Sequence, residues 1–189
     1  MKVIQLHQEE KQLILLAVEN NRQAQQQIYA KFSSKMLSVC RQYIKDIHHA
    51  EDVMITGFMK VFTNLKNFEH KGSFEGWIRR IMVYECIDFL RVKKNNFNHQ
   101  DIDDVTVSEN ESVYEMEDFS VDDIQNMIDN LPDGYKMVFN LYAIEGYKHQ
   151  EIAEMLKISE GTSKSQLSNA RKLLQQQITE LKKKLNGTK

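Results

Sequence analysis

The sequence predicts an all-α protein built as two small helical domains, a helical bundle and a helix-turn-helix, joined by an acidic linker. Three observations predict it. Seven Gly and one Pro in 189 residues leave little turn chemistry for an all-β chain. Gln, Lys, Leu and Met fill long stretches, and such side chains lose little rotamer freedom in a helix. Apolar residues recur three or four apart on both sides of one polar, acidic stretch.

The first domain, residues 1–95, divides into four helices. The first is expected over Glu9–Glu19. The second runs from Arg22 to Ile47, with Ile28, Phe32, Met36, Val39, Cys40 and Tyr43 on one face. A third, His49 to Leu65, carries Val53, Phe58, Val61, Phe62 and Leu65. The fourth starts near Ser73, a suitable N-cap, and continues to Lys94 with Trp77, Ile78, Ile81, Met82, Ile87, Phe89 and Leu90. Residues 96–121 have no sustained period and are rich in Asn, Asp and Ser, so they read as the linker. Composition alone leaves two roles open for it, a disordered spacer or an acidic strap in a basic channel. The second domain, 122–189, offers shorter helices over Val121–Asn130, Tyr135–Ile144, His149–Leu156 and Glu160–Leu185. Leu131-Pro132-Asp133-Gly134 and Glu145-Gly146-Tyr147 break the first three apart, and Ser159 caps the last.

The net charge of −2 conceals a strong division. Residues 1–99 carry +5, residues 100–130 carry −11 without a single Lys or Arg, and residues 131–189 carry +4. Two basic segments flanking an acidic one are compatible with nucleic-acid binding despite a pI near 6.3. Cys40 and Cys86 lie within apolar helical patterns and read as reduced core thiols. No C-x-x-C occurs, and no His pairs with them at metal-ligand spacing, so neither metal nor other cofactor is expected. The N-terminal apolar run is too short for a signal peptide and nothing approaches a membrane span, which predicts a cytoplasmic protein without membrane insertion. An enzyme is not expected. Glu51 and Asp52 are adjacent and diverge on a helix, and neither a nucleophile–base pair nor a phosphate-cradling glycine loop is present.

The segment HQEIAEMLKISEGTSKSQLSNARKLL, His149 to Leu174, carries the sharpest local signal. Ile152, Ala153 and Leu156 form the inner face of a short helix, and Ile158 plugs the turn. In the next helix Ser163, Leu167, Ala170 and Leu174 face inward, leaving Lys164, Ser165, Ser168, Asn169 and Lys172 outward with Gln166 and Arg171 at the flanks. Amide, hydroxyl and cationic groups on one face suit base edges and phosphates in a major groove. Spacing alone also permits a helical hairpin with a solvated face.

These residues, with LPDGYKMVFNLYAIEGY before them, resemble region 4 of extracytoplasmic-function sigma factors, which reads the −35 promoter element. HHAEDVMITGFMKVFTNLKNF and GSFEGWIRRIMVYECIDFLRVKK resemble region 2 of the same family. The resemblance implies a transcription initiation factor whose partners are core RNA polymerase, promoter DNA and an anti-sigma factor, although no residue here identifies the last. It places Glu51, Asp52, Phe58, Lys60 and Val61 on the helix that docks on polymerase. Phe68, Phe74, Trp77, Arg80 and Tyr84 fall where the −10 element is opened and captured. Arg79, Arg91, Lys93 and Lys94 extend a basic track. Core packing is the alternative for Phe58, Phe74 and Trp77; it is the better reading for Phe58, while Trp77 is expected to serve both roles. It assigns Lys164, Ser165 and Asn169 to base edges, Gln166, Arg171 and Lys172 to flanking phosphates, with Ser168 between them. The chain departs from the family pattern at Ile55 and Thr56, where Gln and an acid are usual, and at Tyr84, where Asn is usual. A conventional helix-turn-helix regulator with a sensory or dimerisation bundle is the competing reading. The Ala50-Glu51-Asp52 helix and the Trp77-to-Arg91 segment favour the sigma factor.

Overall fold

The structure, a computed structural model, describes residues 2–96 and 119–186, with side chains described from 9 to 92 and from 119 to 183. Almost all of the predicted linker, and the side chains of Lys93 and Lys94, lie outside the described residues. Every regular element among the described residues is helical, and the chain divides into two compact units, 1–96 and 97–189.

The first unit holds α1 (Lys2–Val18), α2 (Arg22–Tyr43), α3 (Ile47–Asn64), a short 3-10 turn (Leu65–Asn67) and α4 (Phe74–Asn96). Each break has a local cause. Asn21 accepts a hydrogen bond from the Ala24 N–H at 3.1 Å, and Ser73 accepts one from the Gly76 N–H at 3.0 Å, so both helices start at a side-chain cap. Asp46 accepts from the His49 N–H at 3.0 Å. That bond holds its carboxyl below the ordinary carboxylate range. The cap also explains why α2 stops at Tyr43 rather than Ile47: Ile44 and Asp46 are extended, and Ile47 already belongs to α3. The predicted second helix was therefore too long and the third too short. Helix α1 likewise begins seven residues earlier than its apolar period, at Lys2 instead of Glu9.

Helices α2, α3 and α4 pack on one another and α1 lies on α2. Ile28, Phe32, Met36, Val39, Cys40 and Tyr43 of α2 meet Val53, Met54, Phe58 and Val61 of α3 and Ile78, Met82, Val83 and Cys86 of α4, all buried. Full burial of each large side chain stabilises by about 1.5–3 kcal/mol. The α3–α4 crossing is close because position 57 is glycine. A Cβ there would stand 2.3 Å from the Met82 sulfur.

The second unit holds α5 (Val121–Asp129), α6 (Asp133–Phe139), a π-turn (Asn140–Ile144), α7 (His149–Leu156) and α8 (Glu160–Asn186). Ser120 and Asp123 cap α5 reciprocally, each side chain accepting the other's backbone N–H at 3.1 Å. The predicted Tyr135–Ile144 helix starts two residues earlier, directly after Pro132, and its last turn widens into the π-turn. Leu131, Tyr135, Val138, Leu141, Ile152, Leu167 and Ala170 form the core between α6, α7 and α8. Inside it Lys136 of α6 donates to Asp129 of α5 at 3.1 Å, with Nζ-bearing and carboxylate side chains 5% and 1% exposed. Gln125 donates to the same carboxylate oxygen at 3.3 Å.

Candidate nucleic-acid interface

Helix α7 ends on Lys157, whose backbone is left-handed at φ 56°, ψ 46° and donates to the Ala153 carbonyl. Ile158 donates to that same carbonyl at 3.1 Å, and Ser159 then caps α8 by accepting from the Thr162 N–H at 2.9 Å. Three residues thus turn the chain between two helices, as the sequence predicts. Ile152 is fully buried and Met155 is buried beside it, whereas Ala153 and Leu156 are half-buried. Met155, missed in the sequence reading, carries more of the inner face than either.

On α8 the predicted inward set holds: Ser163, Leu167 and Ala170 are buried, and Leu174 is half-buried. Lys164, Ser165, Ser168 and Arg171 are exposed. Gln166, Asn169 and Lys172 are half-buried, so Asn169 and Lys172 turn further in than predicted, and Arg171 further out. The cause at Asn169 is specific. Its amide nitrogen donates to the hydroxyl of buried Tyr135 at 3.2 Å. Ser165 donates to the Thr162 carbonyl at 3.0 Å, which leaves its lone pairs to accept. Gln166 lies against Gly134, at the start of α6.

Two further groups border this face. Lys164 is paired with Glu160 at 2.7 Å, and that hydrogen bond holds the Glu160 carboxyl below its ordinary range. The Arg171 guanidinium lies 5.7 Å from the centre of the Tyr142 ring, and Tyr142 stacks on His149 at 4.6 Å. The His149 Nδ1 is 2.9 Å from the Ser163 hydroxyl. The sequence reading assigned nothing to Glu160, Tyr142 or His149. The four-residue spacing of Glu160 and Lys164 was a visible signal for the first.

The first unit separates its predicted residues by burial. On α3, Phe58 and Val61 are core side chains at 3% and 0% exposure, so neither offers a surface to a partner. Phe58 instead packs edge-on against Tyr29. Asp52 is exposed and Glu51 half-buried, its carboxylate 3.7 Å from the His48 ring. Lys60 is exposed and paired with Glu85 of α4. The outward face of α3 is completed by Ile55, Thr56, Met59 and Thr63, with Met59 67% exposed.

The aromatic residues around the start of α4 form one cluster. Phe68 and Phe74 lie 5.1 Å apart, Phe68 is 5.5 Å from Trp77, and Trp77 stacks near-parallel to Phe74 at 5.9 Å. Phe32 of α2 closes it from beneath. Phe68 and Phe74 are buried, which leaves neither ring face open to a base; Trp77 alone of the three is half-exposed. One turn further along, Arg80 lies over the ring of Tyr84 at 5.8 Å, both exposed. Arg91 pairs with Asp88 at 2.9 Å. Among the described residues no cluster of His, Cys, Asp and Glu could hold a metal ion, and no helix is long and apolar enough to cross a membrane.

Both units have counterparts among known proteins. Residues 28–96 match the family described as Sigma-70 region 2, and residues 121–174 match Sigma-70, region 4. The ECF RNA polymerase sigma factor SigW of Bacillus subtilis is 29% identical over 163 residues, covering 79% of this chain and 86% of the relative. The ECF RNA polymerase sigma-E factor of Haemophilus influenzae is 24% identical, with 82% and 87% covered. Among solved structures, the sigma factor RpoE from Bartonella quintana, in complex with the anti-sigma factor NepR, superposes with a TM-score of 0.53 at 19% identity, covering 82% of this chain and 96% of that one. CnrH, in complex with the cytosolic domain of CnrY, gives 0.51 at 19% identity, with 90% and 97% covered.

Proposed function

The chain belongs to the extracytoplasmic-function sigma factors, with sigma-70 regions 2 and 4, and we propose how its two units divide the work of promoter recognition. As a sigma factor it directs promoter-specific transcription, and sigma factors are not enzymes. Region 4 reads the −35 element through the outward face of α8. Lys164, Ser165 and Ser168 approach base edges. Arg171 and Lys172 take phosphates, with Gln166 and Asn169 steadying the helix from its half-buried side. The observation that carries this reading is the row of exposed cationic and hydroxyl groups on α8, presented by a helix-turn-helix whose inner face is packed.

Region 2 captures the −10 element around Trp77. Phe68 and Phe74 support that ring from below, so an unstacked base meets a braced indole, while Arg80 and Tyr84 lie further along the same helix. Core RNA polymerase docks on the outward face of α3, through Asp52 and the apolar pair Ile55 and Met59, with Glu51 and Lys60 at its margins. Phe58 and Val61 act there only by holding α3 in place. The protein works in the cytoplasm, where polymerase and promoter DNA are. An anti-sigma factor that covers these surfaces is a further partner, supported by the complex with the anti-sigma factor NepR in which the Bartonella quintana relative was solved.

Run-off transcription with core RNA polymerase from the source organism, on a library of its promoters, tests the reading. New start sites sharing a −35/−10 pair are expected only when the protein is added. Absence of polymerase binding, together with tight binding of the protein alone to duplex DNA, would instead identify a conventional regulator.

A further inference from the structure

We propose that Glu160 and Lys164 together read one G·C base pair of the −35 element, with guanine beneath Lys164 and cytosine beneath Glu160. The proposal rests on the assignment of α8 as the −35 helix and adds to it a specificity-determining residue, Glu160. Glu160 is the first residue of α8, and the first turns of a recognition helix are the part that meets base edges. Both side chains are more than half exposed, and the Lys164 Nζ lies 2.7 Å from the Glu160 Oε1. The helix therefore presents a donor and an acceptor side by side.

A G·C pair presents the complement at the same spacing. In the major groove guanine O6 accepts and cytosine N4 donates, and the two are partners in one Watson–Crick hydrogen bond, about 2.9 Å apart. The ion pair need not break to meet them. Lys164 has three donors, one of them committed to Glu160, which leaves two for guanine O6 and N7. The carboxylate of Glu160 keeps lone pairs free for cytosine N4. A T·A pair offers the same central acceptor and donor, but the flanking groups are wrong. The thymine methyl crowds the ammonium, and adenine N7, an acceptor, faces the carboxylate. With cytosine and guanine exchanged, Lys164 faces a donor and Glu160 faces two acceptors. An exposed glutamate is ionised at neutral pH, and the hydrogen bond from Lys164 favours that form further, so Glu160 cannot donate to any of these. His149 is the other titratable group close enough to act on Glu160, and its effect favours the same ionised form. Ser165, next along the face, is turned to the Thr162 carbonyl and does not compete for Lys164.

The test uses the full chain with core RNA polymerase on promoters randomised across the −35 region, with run-off transcripts sequenced. Wild type should show one position at which G·C, in one orientation, is favoured about tenfold or more over each other pair. Glu160→Ala should bring that preference within about threefold at that position alone, and Lys164→Ala should relax the same position. Glu160→Gln, which offers a donor as well as an acceptor, should admit other pairs there while leaving the fold intact by thermal melting. Relaxation of two different positions by the two alanine variants would overturn the proposal. So would a uniform rise in initiation on all sequences with Glu160→Ala, since Glu160 would then be only a repulsive charge. Wild-type holoenzyme that initiates without choosing bases in the −35 region would overturn the reading of α8 itself, and the proposal with it.

Discussion

At Lys157 the backbone asks for a residue the sequence does not supply. A left-handed conformation at φ 56° crowds the Cβ of any residue but glycine, and it is required here for the turn into α8. Lys157→Gly is therefore expected to stabilise region 4 by about 0.5–1 kcal/mol, read as a higher midpoint in urea, without changing promoter choice. Asp46 makes a prediction of the opposite kind, through pH. Its carboxyl is held below the ordinary range by the His49 N–H, so its contribution is present above the carboxyl's unfolded-state pKa and is lost as pH falls through the folded-state value. Asp46→Asn keeps an acceptor for the cap and removes the titration. As pH is lowered through and below the ordinary carboxylate range, the stability of that variant should fall less than that of wild type, by chemical denaturation at each pH. The residues reassigned by the structure follow the same local logic. Asn169 is pulled inward by one hydroxyl, that of Tyr135, thirty-four positions away in the chain. A helical period cannot report such a partner, because it fixes where a side chain starts and not what meets it.

Helices are the scale at which the sequence was most legible. Among the described residues the number of helices, most of the inner faces of α2 and α8, and the caps at Ser73 and Ser159 follow from period and side-chain chemistry, whereas on α7 Met155 takes the place expected of Ala153 and Leu156. What escaped were features made by one helix on another. Phe68 was expected at a DNA surface and Phe74 either there or in the core, and the structure buries both, with Trp77 against each ring and Phe32 of α2 against Phe74. The close α3–α4 approach at Gly57 was equally invisible, since its cause is Met82, on the other helix. Gly57→Val is expected to destabilise the first unit by about 1–3 kcal/mol, because the Met82 end it meets is itself fully buried. The α5–α6 link gives a sharper contrast. Asp129→Ala leaves Lys136 buried without its carboxylate and should cost about 3–5 kcal/mol. The double replacement Asp129→Leu with Lys136→Met removes both charges and should recover most of that loss, which a pair of denaturation curves would show.

For the whole molecule, a sigma factor must hold polymerase and DNA through different surfaces, and the burial pattern allows those surfaces to be separated by mutation. Met59 is the most exposed large apolar side chain on α3, with Ile55 on the same face, so solvated apolar area lies where polymerase is proposed to dock. Such area gains free energy only when a partner covers it, and an exposed methionine contributes little to folding. Met59→Asp should therefore leave the melting temperature nearly unchanged while weakening core polymerase binding by about fivefold or more in a fluorescence titration. Arg171→Ala should do the reverse. Polymerase binding should persist, holoenzyme affinity should fall by a similar factor on every promoter, and the slope of log affinity against log salt should shrink by about one. The two defects should add in the double variant, since α3 and α8 belong to separate compact units. Transcription initiation should then fall as the product of the two single effects. A Met59→Asp protein that also lost promoter selectivity once saturated with polymerase would show that α3 contributes to DNA reading, and the division of labour between the units would have to be redrawn.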